Sequence, residues 1–188
     1  MEKLIRHHKP QNLSDHIALA FTKFLRFLAD TFFKKKYGHR AVVLETVAAV
    51  PGMVAGMLLH LKSLRKMQDD RGWIKILLDE AENERMHLMT FIQIAKPTFI
   101  ERIIIMMAQF IFILMYSIIY LSSQRTAHRI VGYFEEEAVI SYTEYLKEIE
   151  EGKIENIKAP EIAINYWNLP LNSKLKDVVE VIRDDEAG

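Results

Sequence analysis

The residues with chemical meaning in this sequence are acidic side chains set in oily surroundings. Between Ala41 and Leu59 every residue is apolar or small except Glu45 and Thr46. At helical spacing Glu45 has Ala41, Val42, Ala48, Ala49 and Gly52 for neighbours. A carboxylate there needs a partner or takes up a proton. A buried arginine such as Arg40 or Arg26 is the ordinary solution; a metal ion is the other. A second helix-like stretch offers Glu84 and His87, spaced i, i+3, with Leu77, Ala81, Leu88 and Phe91 around them. That pair alone is common by chance. A third carries Glu135-Glu136-Glu137, a pattern that usually means a solvated acidic patch. Glu135, however, shares its face with Val131, Ala138, Val139 and Tyr142, while Glu136 and Glu137 turn progressively away. In the last stretch Glu186 follows Val179 and Ile182 on one stripe.

Together these residues say more than any one of them. Di-iron carboxylate bundles take one Glu from each of two helices and Glu-x-x-His from each of two others. Glu45 and Glu135 fit the single positions, and Glu84 with His87 fits one pair. A second pair would start at Glu186 and require a histidine at i+3, past Gly188, where the sequence stops. Oxygen donors with imidazole suit iron or manganese. The chain has no cysteine, which excludes thiolate metal sites and disulfides.

The elements that must position these groups read as helices. Glycines number 7 and prolines 5, and no strand-like alternation stands out. The first segment runs from about Ser14 to Lys35, with Ile17, Phe21, Phe24, Leu25, Leu28, Phe32 and Phe33 nearly in a stripe. The second runs from His39 to Met67 with a kink expected at Pro51-Gly52. After the Asp69–Gly72 turn the third covers Trp73 to Ala95, ended by Pro97. The fourth, Ile103 to Leu121, carries no charge and has about the length of one bilayer crossing, roughly 20 residues. It spans a membrane or lies half in its own bundle and half in one leaflet. The fifth covers Thr126 to Glu151. A polar connector, Lys153 to Leu171, precedes a last helix from Ser173 onward. The expectation is a single all-α domain over residues 1–188: a ferritin-like four-helix di-iron bundle plus two amphipathic or apolar helices forming a membrane-binding face, with the final helix incomplete.

Composition narrows the function classes. Lys plus Arg and Asp plus Glu each number 25, so the net charge is zero, against the basic surface that nucleic-acid binding requires. Half the residues are hydrophobic, more than an ordinary core needs. The short charged start, Met1 to Pro10, has no secretory cleavage pattern.

At these same residues the sequence resembles the alternative oxidase family. The stretches that carry the resemblance are Arg40 to Met57 (RAVVLETVAAVPGMVAGM), Glu80 to Phe91 (EAENERMHLMTF), Gly132 to Tyr142 (GYFEEEAVISY), Tyr166-Trp167-Asn168 and Asp185-Glu186-Ala187. The family consists of membrane-bound di-iron ubiquinol oxidases that reduce oxygen to water without pumping protons. They are homodimers attached to one leaflet. The resemblance therefore implies two iron ions, ubiquinol and oxygen as substrates, and a monotopic place on the mitochondrial inner membrane or a bacterial cytoplasmic membrane. It implies metal ligands Glu45, Glu84, His87, Glu135 and Glu186 and a redox-active Tyr142. As residues alone, Tyr142 reads equally as a core aromatic. Asn83, His128, Tyr166, Trp167 and Asp185 match supporting positions. Positions matching the family's quinol pocket are Arg26, Asp30, Arg40, Leu44, Glu137, Ala138 and Ser141; an ordinary Arg26–Asp30 i, i+4 pair is the alternative. The sequence departs from the family in lacking the histidine ligand that follows Glu186 there. Two further functions remain open, a truncated remnant that binds the membrane without catalysis and a di-iron membrane hydroxylase. Which quinol serves is not legible.

Overall fold

The computed structural model describes residues 7–33 and 36–188. Lys34 and Lys35, which close the first expected segment, and most of the charged N-terminal start lie outside the described residues. Among the described residues the structure is helical: α1 (Leu13–Phe33), α2 (Tyr37–Lys66), α3 (Trp73–Ala95), α4 (Phe99–Ser122), α5 (Gln124–Glu150), α6 (Glu161–Tyr166) and α7 (Leu175–Glu186). The all-α expectation holds, with one correction. The connector read as irregular contains α6, a short helix opened by Pro160 that buries Ala163 and Ile164. The helix α2 continues through Pro51.

The chain forms two compact units, one comprising the described residues up to Tyr37 with Arg129–Gly188, the other Gly38–His128. In the second unit, α2 and α3 are antiparallel neighbours. Their connection turns on Met67, Arg71 and Gly72, all at positive φ. The helices approach closely because small residues meet. A Cβ added to Gly52 would lie 2.5 Å from the Leu77 carbonyl oxygen and 3.0 Å from Ala81 Cβ. Only glycine permits that contact. Farther along, a Cβ on Gly56 would meet Leu78 Cδ2 at 3.3 Å. A left-handed Lys96 (φ 49°) ends α3, and Thr98 opens α4 with a capping box whose partner is Glu101. The Glu101 carboxylate also meets His39 Nδ1 at 2.8 Å, tying the start of α4 to the start of α2.

Only Phe112, Tyr116 and Tyr120 of α4 are buried. They form one row at four-residue steps, stacked at 5.9 Å and tilted at 6.3 Å, and Tyr120 continues edge-on to His128 at 5.8 Å. The rest of the helix exposes Phe99, Ile100, Ile104, Met106, Met107, Phe110, Ile111, Leu114, Ile118 and Leu121.

In the first unit, α1 buries the small face Asp15, Ala18, Thr22 and Ala29 and exposes Leu13, Ile17, Phe24, Phe27 and Phe32. Phe21, midway along α1, stacks on Phe134 of α5, and Tyr37, just beyond α1, stacks on Tyr145 of the same helix. α7 packs through Leu175, Val178, Val179 and Ile182, all fully buried or nearly so. Its start is pinned by backbone bonds from Leu175 to Ile157 and from Ala159 to Ser173.

Candidate metal centre

The close α2–α3 contact dictates which residues meet. Counting seven residues from Gly52 toward the start of α2 gives Glu45 (52 − 7), and seven from Ala81 along antiparallel α3 gives Leu88 (81 + 7), next to His87. At 1.5 Å per residue both steps cover about 10 Å, so Glu45 and His87 stand opposite one another. In the structure His87 Nδ1 lies 3.4 Å from Glu45 Oε2 and 3.6 Å from Glu84 Oε2. Glu45, Glu84 and His87 are 2%, 5% and 0% exposed. Each can offer one donor atom within 4.8 Å of those of the other two.

Within this group of three, two buried carboxylates face one imidazole, a donor set that a cation would hold together. Glu84 Oε2 is buried and takes no hydrogen bond. Converging oxygen and imidazole donors fit a divalent or trivalent cation such as iron or manganese. Of the five expected ligands, these three are brought together within one unit.

The other two belong to the first unit. Glu186 is buried on α7 behind Val178, Val179 and Ile182. Glu135 is half-buried on α5, less enclosed than its sequence neighbours Val131, Ala138 and Val139 suggested, and Tyr142 is buried two turns beyond it. Asp185 accepts a 2.7 Å bond from the Trp167 indole, whose ring meets Tyr166 edge-on. Those motif residues are thus assembled into one contact.

The expected quinol positions divide similarly. Arg26, Asp30 and Glu137 meet in the first unit: Arg26 Nε donates to Asp30 at 2.8 Å and Arg26 Nη1 to Glu137 at 2.9 Å. Burial alone would lower the Arg26 pKa, but the Asp30 hydrogen bond and the charges of Asp30, Glu144 and Glu137 more than offset it, and the guanidinium is held charged. Ser141 is buried and Ala138 half-buried on the same helix; Arg40 is buried and Leu44 half-buried on α2.

Two partners are not among the residues that the sequence singles out. Glu144 accepts from Arg26 Nη2 at 3.0 Å; its signal is its place two turns after Glu137 on one face of α5. His7 has no such signal. Its Nδ1 meets Glu136 at 3.0 Å and its Nε2 meets Glu137 at 2.7 Å, and the His8 backbone N–H donates to Glu136. Glu136 and Glu137 therefore do not simply turn out to solvent: the N-terminal segment crosses them, with Tyr133 donating to the His8 carbonyl.

A sequence profile of the alternative oxidase family matches residues 1–188. The chain is 60% identical over 182 residues to alternative oxidase 3, mitochondrial, of Glycine max, covering 97% of this chain and 56% of that protein. It is 59% identical over 184 residues to ubiquinol oxidase 2, mitochondrial, of Arabidopsis thaliana, covering 98% of this chain and 52% of the relative. The tobacco (Nicotiana tabacum) ubiquinol oxidase 2, mitochondrial, is 58% identical, with 98% and 62% covered. The chain thus spans roughly half to three-fifths of the length of these curated relatives. With the whole chain matched and the carboxylate–histidine group in place, this protein belongs to the alternative oxidase family.

Proposed function

We propose that this chain carries the metal-binding and quinol-binding parts of a membrane-bound ubiquinol oxidase that reduces oxygen to water without pumping protons. The observation that carries the proposal is the buried convergence of Glu45, Glu84 and His87 on donor atoms within 4.8 Å of one another. Glu135 and Glu186 are proposed as further oxygen donors, giving two single glutamates and one Glu-x-x-His pair of a di-iron set. Two iron ions, when bound, would supply the redox capacity that no side chain here has. Each quinol releases two electrons and two protons, so two quinols convert one dioxygen to two waters.

The residues of the chain have assigned parts in this scheme. Arg26, held by Asp30 and Glu137, presents a fixed guanidinium and carboxylates to the quinol head hydroxyls; Ala138 and Ser141 on α5, and Arg40 and Leu44 on α2, are assigned to quinol binding on the family resemblance. Glu137 is suited to accept a proton from the head. Tyr142, a buried phenol, is proposed to supply an electron and a proton during O–O cleavage. The apolar faces of α1 and α4 are each proposed to contact lipid, a monotopic attachment, and the relatives' names make mitochondria the compartment. The exposed Met53, Met57, Leu61 and Leu64 on α2 and Trp73 and Ile76 on α3 suit the contact of a homodimer.

Purified protein in detergent, supplied with ferrous iron and ubiquinol, is expected to bind two irons per chain and consume oxygen with quinone and water as products. An oxygenated organic product would instead favour a membrane hydroxylase. Failure to take up iron would favour a membrane-bound remnant.

A further inference from the structure

Thr90 behaves unlike Thr31, Thr46 and Thr143, which also lie within helices. The hydroxyls of Thr31, Thr46 and Thr143 each donate to the carbonyl four residues back, at 2.7 Å, the usual resort of a threonine within a helix. Thr90 is fully buried and its Oγ1 takes no partner. A hydroxyl enclosed without a hydrogen bond is destabilising, and valine would fill the same space without that cost. The helix α3 places Thr90 at i+3 from His87. Helical side chains lean toward the N-terminus, so Thr90 covers the turn that carries His87. Three residues before His87, Glu84 Oε2 is likewise buried without a hydrogen bond. Among the described residues, then, two buried polar atoms on one stretch of α3 lack a hydrogen bond.

We propose that the Thr90 hydroxyl is the hydrogen-bond partner of a solvent molecule, water or hydroxide, carried by the metal centre at Glu45, Glu84 and His87. Thr90 is then a positioning residue: it acts through that oxygen and orients it. This rests on the metal reading above. A hydroxyl able both to donate and to accept suits an oxygen whose protonation changes as the site turns over.

The test uses the whole chain, stripped of metal with a chelator and titrated with cobalt(II), whose visible absorption reports both affinity and coordination number. Thr90→Val is expected to bind cobalt about tenfold more weakly with altered band intensities, the usual scale for losing an outer partner of a metal site. Thr90→Ser is expected to restore the parent behaviour. Metal-free Thr90→Val should melt no lower than the parent, since it loses only an unsatisfied group. Thr22, also buried with an unpartnered hydroxyl, provides the comparison: Thr22→Val should leave cobalt binding unchanged. Cobalt binding by Thr90→Val equal to the parent, or equal weakening by Thr22→Val, overturns the inference while leaving the metal reading intact. A parent chain that takes up no cobalt overturns both. Should Thr90→Val not fold, Thr90→Ala against Thr90→Ser makes the same comparison.

Discussion

At the scale of single residues, the proposed metal centre is a balance of charge with a sign that can be measured. Glu45 and Glu84 repel one another across a buried imidazole. Glu84→Gln should therefore abolish metal uptake yet raise the stability of metal-free protein, by about 1–2 kcal/mol. Replacing His87 by Phe should also abolish uptake but lower that stability, because the two carboxylates then lose the imidazole that both of them face. Thermal melts of metal-free protein separate the two outcomes; equal shifts in the same direction would count against a charge imbalance at this site. These residues are legible in the sequence because they are anomalies: a glutamate amid the unbroken apolar run of α2 has few explanations. Arg26 is legible through its i, i+4 partner Asp30, whereas Glu144 is signalled only by its two-turn spacing from Glu137 along α5. His7 gives no sign, since its partners lie 129 and 130 residues away. Thr90 resembles any helical threonine in the sequence, and only its buried, unpartnered hydroxyl one turn from His87 in the folded protein sets it apart.

At the scale of elements, the spacing of α2 and α3 controls the site. Gly52→Ala places a methyl 2.5 Å from backbone oxygen, which cannot yield, and should cost about 2–3 kcal/mol and weaken metal binding together. For a chain of this size that is a fall in melting temperature of roughly 4–12 °C. Gly56→Ala meets only the flexible end of Leu78 at 3.3 Å and should cost much less. The start of α4 offers a separate check. Thr98→Ala removes the cap and should cost about 1 kcal/mol. The Glu101 carboxyl is held below its usual range, chiefly by the Thr98 backbone N–H and also by His39. Its contribution is present above the ordinary glutamate pKa and lost as pH falls through the lower folded value. Acid titration below about pH 4.5 should therefore destabilise the parent more than Glu101→Gln, as followed by helical circular dichroism. Helix order and type can be read from periodicity, and α3 is placed at its true ends because a Gly72 turn and Pro97 bound it. α6 escapes that reading because it is a single turn and a half in a polar connector, too short to show a period. Burial of Ala163 and Ile164, a tertiary effect, makes it a helix.

At the scale of the molecule, the exposed apolar surface of α4 is too extensive to leave in water. Hydropathy alone does not distinguish a helix that crosses a bilayer from one that lies in it, because both are apolar along their length. The structure adds that α4 keeps one aromatic row, Phe112, Tyr116 and Tyr120, against protein and turns the remainder outward. Paired Phe110→Asp and Ile111→Asp substitutions on the outward face should remove co-flotation with phospholipid vesicles while leaving the helical spectrum and metal uptake unchanged. Retained flotation would argue against α4 as the lipid-facing element. The neutral overall charge fits an attachment driven by apolar burial, so high salt should not release the protein from vesicles.

The three donors Glu45, Glu84 and His87 all reside on a single antiparallel hairpin closed by the Met67–Gly72 turn. During synthesis that hairpin is complete once Lys96 has left the ribosome, well ahead of Glu135 and Glu186. Its contacts are local, and local contacts form early. A nascent chain thus assembles these three donors before Glu135 and Glu186 have been made, so a single-ion site at the hairpin needs nothing from the later helices.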